Sequence, residues 1–325
     1  MCGTGSARKH SSAVADRRAV RKSLSTNFDP GLRHRLDRVK LRVRQAGHIP
    51  ALLTGGRIER PVFIVGAPRS GTSILFSVLR SSSQLAHWPG EAHEVWEADH
   101  HPALRGWESN VLGAEDAGAE TVARIRREFL LTVGTRRRLI DKTPRNSLRI
   151  PFIDRIFPDA LYVFLVRDGR DNVNSLINAW RTPRYRTYEL PERHSIPGAD
   201  PRWWKFVLYP GWRDDIRGPL ERVAARQWAA ANTHMLDGFE GIPKERWTEI
   251  RYELLVDSPA NEVARILDFI GVEKEETLLA KARALKQTPI NVVTPPEQGK
   301  WRRENPKEIS SILPLIEPTM ERLRY

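Results

Sequence analysis

The stretch Pro61-Val-Phe-Ile-Val-Gly-Ala-Pro-Arg-Ser-Gly-Thr-Ser73, followed by a helical pattern, leaves this chain few folds to choose from. Four consecutive apolar residues, Val62 to Val65, read as a buried strand. A loop bounded by Gly66 and Gly71 then delivers Thr72 and Ser73 to the start of a helix. Such a corner aims unpaired backbone N–H groups and the positive end of a helix dipole at one spot, which favours phosphate. The nucleotide-hydrolase form of this loop reads G-x-x-x-x-G-K-[ST], with the lysine reaching the terminal phosphates. Here Thr72 stands in the lysine position, and Arg69 has moved the cation into the loop. A phosphate site is therefore expected, but not one for ATP with magnesium.

The rest of the chain repeats the alternation. Strand-like runs at 61–66, 138–141, 160–166 and 247–252 are separated by helical patterns at 72–82, 120–134, 147–156, 170–181, 218–236 and 259–270. The order predicts an α/β fold, a three-layer αβα sandwich with a mostly parallel sheet of the P-loop NTPase-like kind. Ligands in such sheets bind beyond the carboxyl ends of the strands. Arg69 to Ser73, Lys142, Arg167 and Tyr252 all fall there. Residues 182–215 break the pattern with five prolines, three tryptophans and three tyrosines. An insertion of this kind is expected to be either an acceptor wall or lid, with Trp203, Trp204, Tyr209 and Trp212 stacking on a ring or sugar, or a surface excursion pinned by its own aromatics.

Composition sets the outer limits. A chain of 325 residues with 40% apolar content buries one large core or two modest ones. The longest apolar runs, Leu161 to Val166 and Val62 to Val65, are far too short to cross a bilayer. Residues 1–30 lack the apolar stretch of a secretory signal, and the only cysteine is Cys2, which rules out an intrachain disulfide or a cysteine metal site. A cytoplasmic setting is expected on that basis. Residues 1–60 hold 14 Lys/Arg against 4 Asp/Glu, so most of the net charge of +13 lies outside the catalytic body. Residues 1–30 read as a basic, disordered extension whose composition a mitochondrial transit peptide shares. Residues 31–59 read as a basic amphipathic helix and linker, with Leu32, Leu36, Val39 and Val43 at helical spacing. That helix either packs on the body or lies peripherally on an anionic membrane. The body is 60–325, and no nucleic-acid partner is expected.

Four segments carry a resemblance. Pro68-Arg-Ser-Gly-Thr-Ser73 resembles the 5′-phosphosulfate loop of the sulfotransferases that use 3′-phosphoadenylyl sulfate (PAPS), and Arg167-Asp-Gly-Arg-Asp-Asn-Val-Asn-Ser175 resembles their 3′-phosphate segment. Asp141-Lys-Thr-Pro144 resembles the Lys-x-Pro segment of the Golgi-type and bacterial members, and Ile250-Arg-Tyr-Glu-Leu254 the strand whose tyrosine lies by the adenine. The resemblance spans residues 60–305 and is nearer to those members than to the cytosolic small-molecule branch.

The resemblance implies transfer of a sulfuryl group from PAPS to an acceptor hydroxyl, on a glycan, lipid, aryl group or peptide, with 3′,5′-bisphosphoadenosine (PAP) as product and no metal. It places the 5′-phosphate on Arg69, Ser70, Gly71, Thr72 and Ser73, and the 3′-phosphate on Arg167 and Ser175. Tyr252 falls to the adenine, and Lys142 to the transferring group. The catalytic residues are then Glu91, Lys142 and Arg69. Glu91, in Trp88-Pro-Gly-Glu-Ala-His-Glu94, is the expected base, with His93 and Glu94 as runners-up. Gly299-Lys-Trp-Arg302 resembles the Gly-x-Trp-Lys segment of the cytosolic branch, which brings in Lys300 and Arg302 as further ligands of the 3′-phosphate. One departure is Ile74, where that branch has a tryptophan. Rival readings are a P-loop kinase using Mg-ATP, against which Thr72 speaks, a binding module for anionic lipid or polyanion, and a structural salt bridge between Arg167 and Asp171.

Overall fold

A computed structural model describes residues 41–286 and 297–325. The expected basic extension 1–30, the helix positions Leu32, Leu36 and Val39, and the Pro-rich stretch before Pro296 lie outside the described residues.

Strand β1 (Val62–Val65) occupies the middle of a five-stranded sheet that also contains β2 (Leu85–Ala86), β3 (Arg138–Asp141), β4 (Leu161–Val166) and β7 (Trp247–Arg251). The order is β2-β3-β1-β4-β7, and every pairing is parallel. Val62 registers with Ile140 on one side and Leu161 on the other. The predicted four strands are all present, which confirms the α/β sandwich. The two-residue β2 is new, being too short to show a period.

Both faces of the sheet are covered, which is why its strands read as unbroken apolar runs. Successive strand side chains point to opposite faces. Phe63 and Val65 enter one apolar cluster with helices α2 (Ala119–Val133), α3 (Gly169–Arg181), α4 (Leu220–Glu240) and α5 (Pro306–Arg322). Val62 and Ile64 enter the other, with Leu75, Val78 and Leu79 of helix α1 (Thr72–Leu79) and Ile266 and Ile270 of the helix Pro259–Ile270. Helix α5 had no clear sequence signature because Pro314 and Pro318 lie inside it. Each interior proline costs about 3 kcal/mol. Both are exposed, whereas Ile309, Ile312, Ile316 and Met320 are buried along one stripe. Four such burials, at about 1.5–3 kcal/mol each, offset the loss.

The insertion forms a two-stranded antiparallel ribbon, β5 (Tyr188–Glu189) against β6 (Trp203–Trp204). Trp203, Trp204, Tyr209 and Trp212 are buried, and Trp204 packs edge-on against Trp180 and Trp212. The expectation that these rings stack on an acceptor is corrected. They pin the excursion to the core instead. Before the sheet, residues 41–47 are helical and Leu41 packs on the main core, while His48 Nδ1 lies 2.8 Å from the Leu131 carbonyl of α2. This part of the basic segment docks on the body, with Val43 turned outward.

Candidate active site

The loop after β1 folds tightly because its glycines let other groups come close. A Cβ on Gly66 would lie 2.6 Å from both the Leu165 carbonyl and Ser70 Oγ. Gly71, at φ 106°, sits directly before α1, and a Cβ there would meet the Tyr252 ring at 2.5 Å. Between them Arg69 holds φ 72°, a left-handed conformation that costs a residue with a Cβ of order 1–3 kcal/mol. The loop is tied to α3 by Asn172, whose Nδ2 donates to the Pro68 carbonyl at 2.8 Å.

Two clusters gather at the carboxyl ends of the strands. In the first, Arg167 follows β4, its Nη1 donates to the Arg69 carbonyl at 3.1 Å, and its guanidinium lies 4.3 Å from the centre of the Tyr252 ring. The Arg69 side chain turns to Ser175 Oγ (3.4 Å) and to the Tyr185 hydroxyl (3.0 Å). Burial, together with repulsion from Arg167, pulls the Arg69 pKa below its usual value despite the help of Tyr185. Among the described residues neither arginine forms an ion pair with a carboxylate. Ser70 Oγ and Arg167 Nε are buried without a hydrogen-bond partner. Two guanidiniums and two orphaned polar atoms make a site that fits an anion. The rival Arg167–Asp171 bridge does not form. Asp171 accepts instead from the backbone N–H groups of Gly299 (2.7 Å) and Trp301 (3.4 Å), which docks segment 299–301 on the first turn of α3. Lys300 pairs with Glu304 at 3.2 Å, and Arg302 is exposed and stacked on Trp301.

The second cluster forms where β3 ends. Lys142 is buried, donates to Ser73 Oγ at 3.1 Å and pairs with Glu91, whose side chain is 34% exposed. The other Glu91 oxygen lies 2.9 Å from His93 Nε2. Burial works against the Glu91 carboxylate, but Lys142 and His93 outweigh it and hold its pKa far below the usual range. Burial and Arg145 lower the His93 pKa, against the opposing pull of Glu91 and Glu97. Glu94 is exposed on the short helix His93–Trp96, which also carries His93. Thus Ser73, Lys142, Glu91 and His93 meet, while Glu94 stays outside. Thr72 is buried at the start of α1, between the clusters in sequence.

Sequence reasoning missed Tyr185, which an irregular segment carries to Arg69 with no motif to announce it. It also missed Glu97, a fully buried carboxylate held by Arg145 and by Arg149 at 2.6 Å, with the Tyr188 hydroxyl at 3.0 Å. In the sequence that cluster is three ordinary charges and a tyrosine.

Residues 61–276 match the model of the sulfotransferase family. The chain belongs to the sulfotransferase family. It is 24% identical over 287 residues to protein-tyrosine sulfotransferase A of Caenorhabditis elegans, covering 81% of this chain and 67% of that one. It is 26% identical over 231 residues to the nodulation protein NoeE of Sinorhizobium fredii, covering 65% of this chain and 50% of that one. In fold it is similar to a sulfotransferase from Mycobacterium avium, with a TM-score of 0.56, 16% identity, and coverage of 86% and 81%. This sulfotransferase is an enzyme. The cytoplasmic expectation is overturned, because the animal relatives are protein-tyrosine sulfotransferases of the Golgi type, which are not cytoplasmic. A single cysteine permits a reducing compartment but does not demand one. Among the described residues no helix is long and apolar enough to cross a membrane.

Proposed function

We propose that this sulfotransferase draws its sulfuryl group from PAPS and passes it in line to an acceptor hydroxyl, with Glu91 as base. The observation that carries the reading is the pair Arg69 and Arg167, two neighbouring guanidiniums without a carboxylate partner among the described residues, flanked by Ser175 and the orphaned Ser70 hydroxyl. A nucleotide phosphorylated at both ends of its ribose supplies the charge this site lacks. The first N–H groups of α1, with the Thr72 and Ser73 hydroxyls, would hold the 5′-phosphate. Arg167 and Ser175 would hold the 3′-phosphate, and Tyr252 would line the adenosine beside them. The 5′-phosphate gains charge as the S–O bond breaks, and fixed donors in a dry site stabilise that charge.

Lys142 sits between the donor and acceptor sides. Its contacts with Ser73 of the loop and with Glu91 support that position. Paired with Glu91, its ammonium suppresses the basicity of that carboxylate. Turning the ammonium toward the sulfuryl oxygens would free the carboxylate to take the acceptor proton. The acceptor class, whether glycan, lipid, aryl group or peptide, follows from a panel of hydroxyl compounds assayed with PAPS. The nucleotide reading is tested by thermal stabilisation. PAP should raise Tm well above the shift produced by ADP or by ATP with magnesium. Equal shifts from the three ligands would defeat the reading.

A further inference from the structure

Beneath the Glu91–Lys142 pair lies a layer that the chemistry of those two residues does not require. Asp141, the last residue of β3, is 2% exposed and forms no ion pair among the described residues, although Lys142 is its neighbour in sequence. Its carboxylate instead accepts from Trp96 Nε1 at 3.2 Å, Asn146 Nδ2 at 3.1 Å and Thr143 Oγ1 at 3.2 Å. The Thr143 hydroxyl, with its proton committed to Asp141, accepts the Ala92 N–H at 3.1 Å. That N–H belongs to the peptide joining Glu91 to Ala92, so holding it fixes the backbone from which the Glu91 side chain departs. A buried carboxylate without a counter-ion is costly, and stability alone would favour an apolar residue here. When ionised, the carboxylate accepts from three donors at once, where an asparagine would turn an NH2 group toward one of them.

We infer that Asp141 and Thr143 are positioning residues for sulfuryl transfer, setting through the Ala92 N–H where the Glu91 carboxylate stands relative to Lys142. The two residues flanking the lysine thereby measure its distance to the base from one strand end. The inference rests on Glu91 being the base. Thr143→Val keeps the shape and removes both hydrogen bonds, and Thr143→Ser keeps the hydroxyl. The Val variant should lose about 10–100-fold in kcat, because small displacements of a reacting group are costly. Its nucleotide KM and PAP Kd should stay within about twofold, as expected when only transition-state geometry is lost. The Ser variant should recover to within about threefold of the parent. In a Glu91→Gln background, Thr143→Val should cause no further loss, because the two act through one group. Parental kcat in Thr143→Val, an equal loss in Thr143→Ser, or a full additional loss in the Glu91→Gln background would overturn the inference while leaving the base assignment standing. Undiminished turnover in Glu91→Gln alone would instead remove the base assignment, and this inference with it.

Discussion

The two ends of the site handle charge in opposite ways. At the end proposed for the nucleotide, Arg69 and Arg167 stand close together with aromatic rings and hydroxyls for company and no carboxylate partner among the described residues. At the transfer end, Lys142 and Glu91 neutralise each other. The first arrangement sets two positive charges side by side, which favours an anion. The second is satisfied without ligand, so its reactive groups stay quiet until something separates them. On the proposed assignment a sulfotransferase gains from this division, because a base active in the absence of acceptor would waste the donor on water.

The contrast breaks most sharply at Glu91. Glu91→Gln should reduce kcat by about 10²–10⁴-fold, the usual worth of a placed base, while PAP affinity measured by calorimetry stays unchanged. Loss of PAP binding in that variant would mean the two ends are one electrostatic unit. Arg167→Ala probes the other end. PAP should bind about 10–100-fold more weakly, as for a lost charge-assisted hydrogen bond pair, with the affinity for ADP little altered. A parallel fall for both nucleotides would take Arg167 off the 3′-phosphate.

A smaller effect is expected from Gly71→Ala, where φ 106° and the Tyr252 ring leave no room for a methyl group. It should cost about 1–3 kcal/mol, read as a Tm lowered by several degrees. An unchanged Tm would show that the Tyr252 ring can move away freely. A slope with pH is also expected, beneath the transfer end. Burial pushes the Asp141 pKa up to about 7, against the ordinary carboxylate value near 4. A raised carboxylate pKa means that folding takes up a proton, so the stability this group contributes is complete below about pH 4 and is lost as pH rises through about 7. Wild type should therefore lose Tm relative to Asp141→Asn between pH 5 and 8 in a scanning series. A constant difference would place the Asp141 pKa outside that window.

Much of this molecule was open to sequence reading. Val62 to Val65 and Leu161 to Val166 could only be strands buried on both faces, and the glycine-bounded loop between Gly66 and Gly71 could only turn into a helix. Together with the runs at 138–141 and 247–252, these led to the parallel sheet and to Arg69, Lys142 and Arg167 at its carboxyl edge. Helix α5 was hidden because its prolines argue locally against a helix, and only burial of its apolar stripe overcomes that preference. The aromatic insertion was ambiguous for a related reason. Composition records that rings are present, not which way they face.

What sequence decided here is whatever depends on neighbours along the chain: strand periods, loop conformations, the residue types offered at each strand end. What tertiary structure decided is which of those residues share a counter-charge. It turned Lys142 to Glu91 rather than to Asp141, gave Asp171 to the backbone of segment 299–301 rather than to Arg167, and brought Tyr185 to Arg69. Electrostatic partnership falls off over a few ångströms through space, and chain separation carries almost no information about such distances.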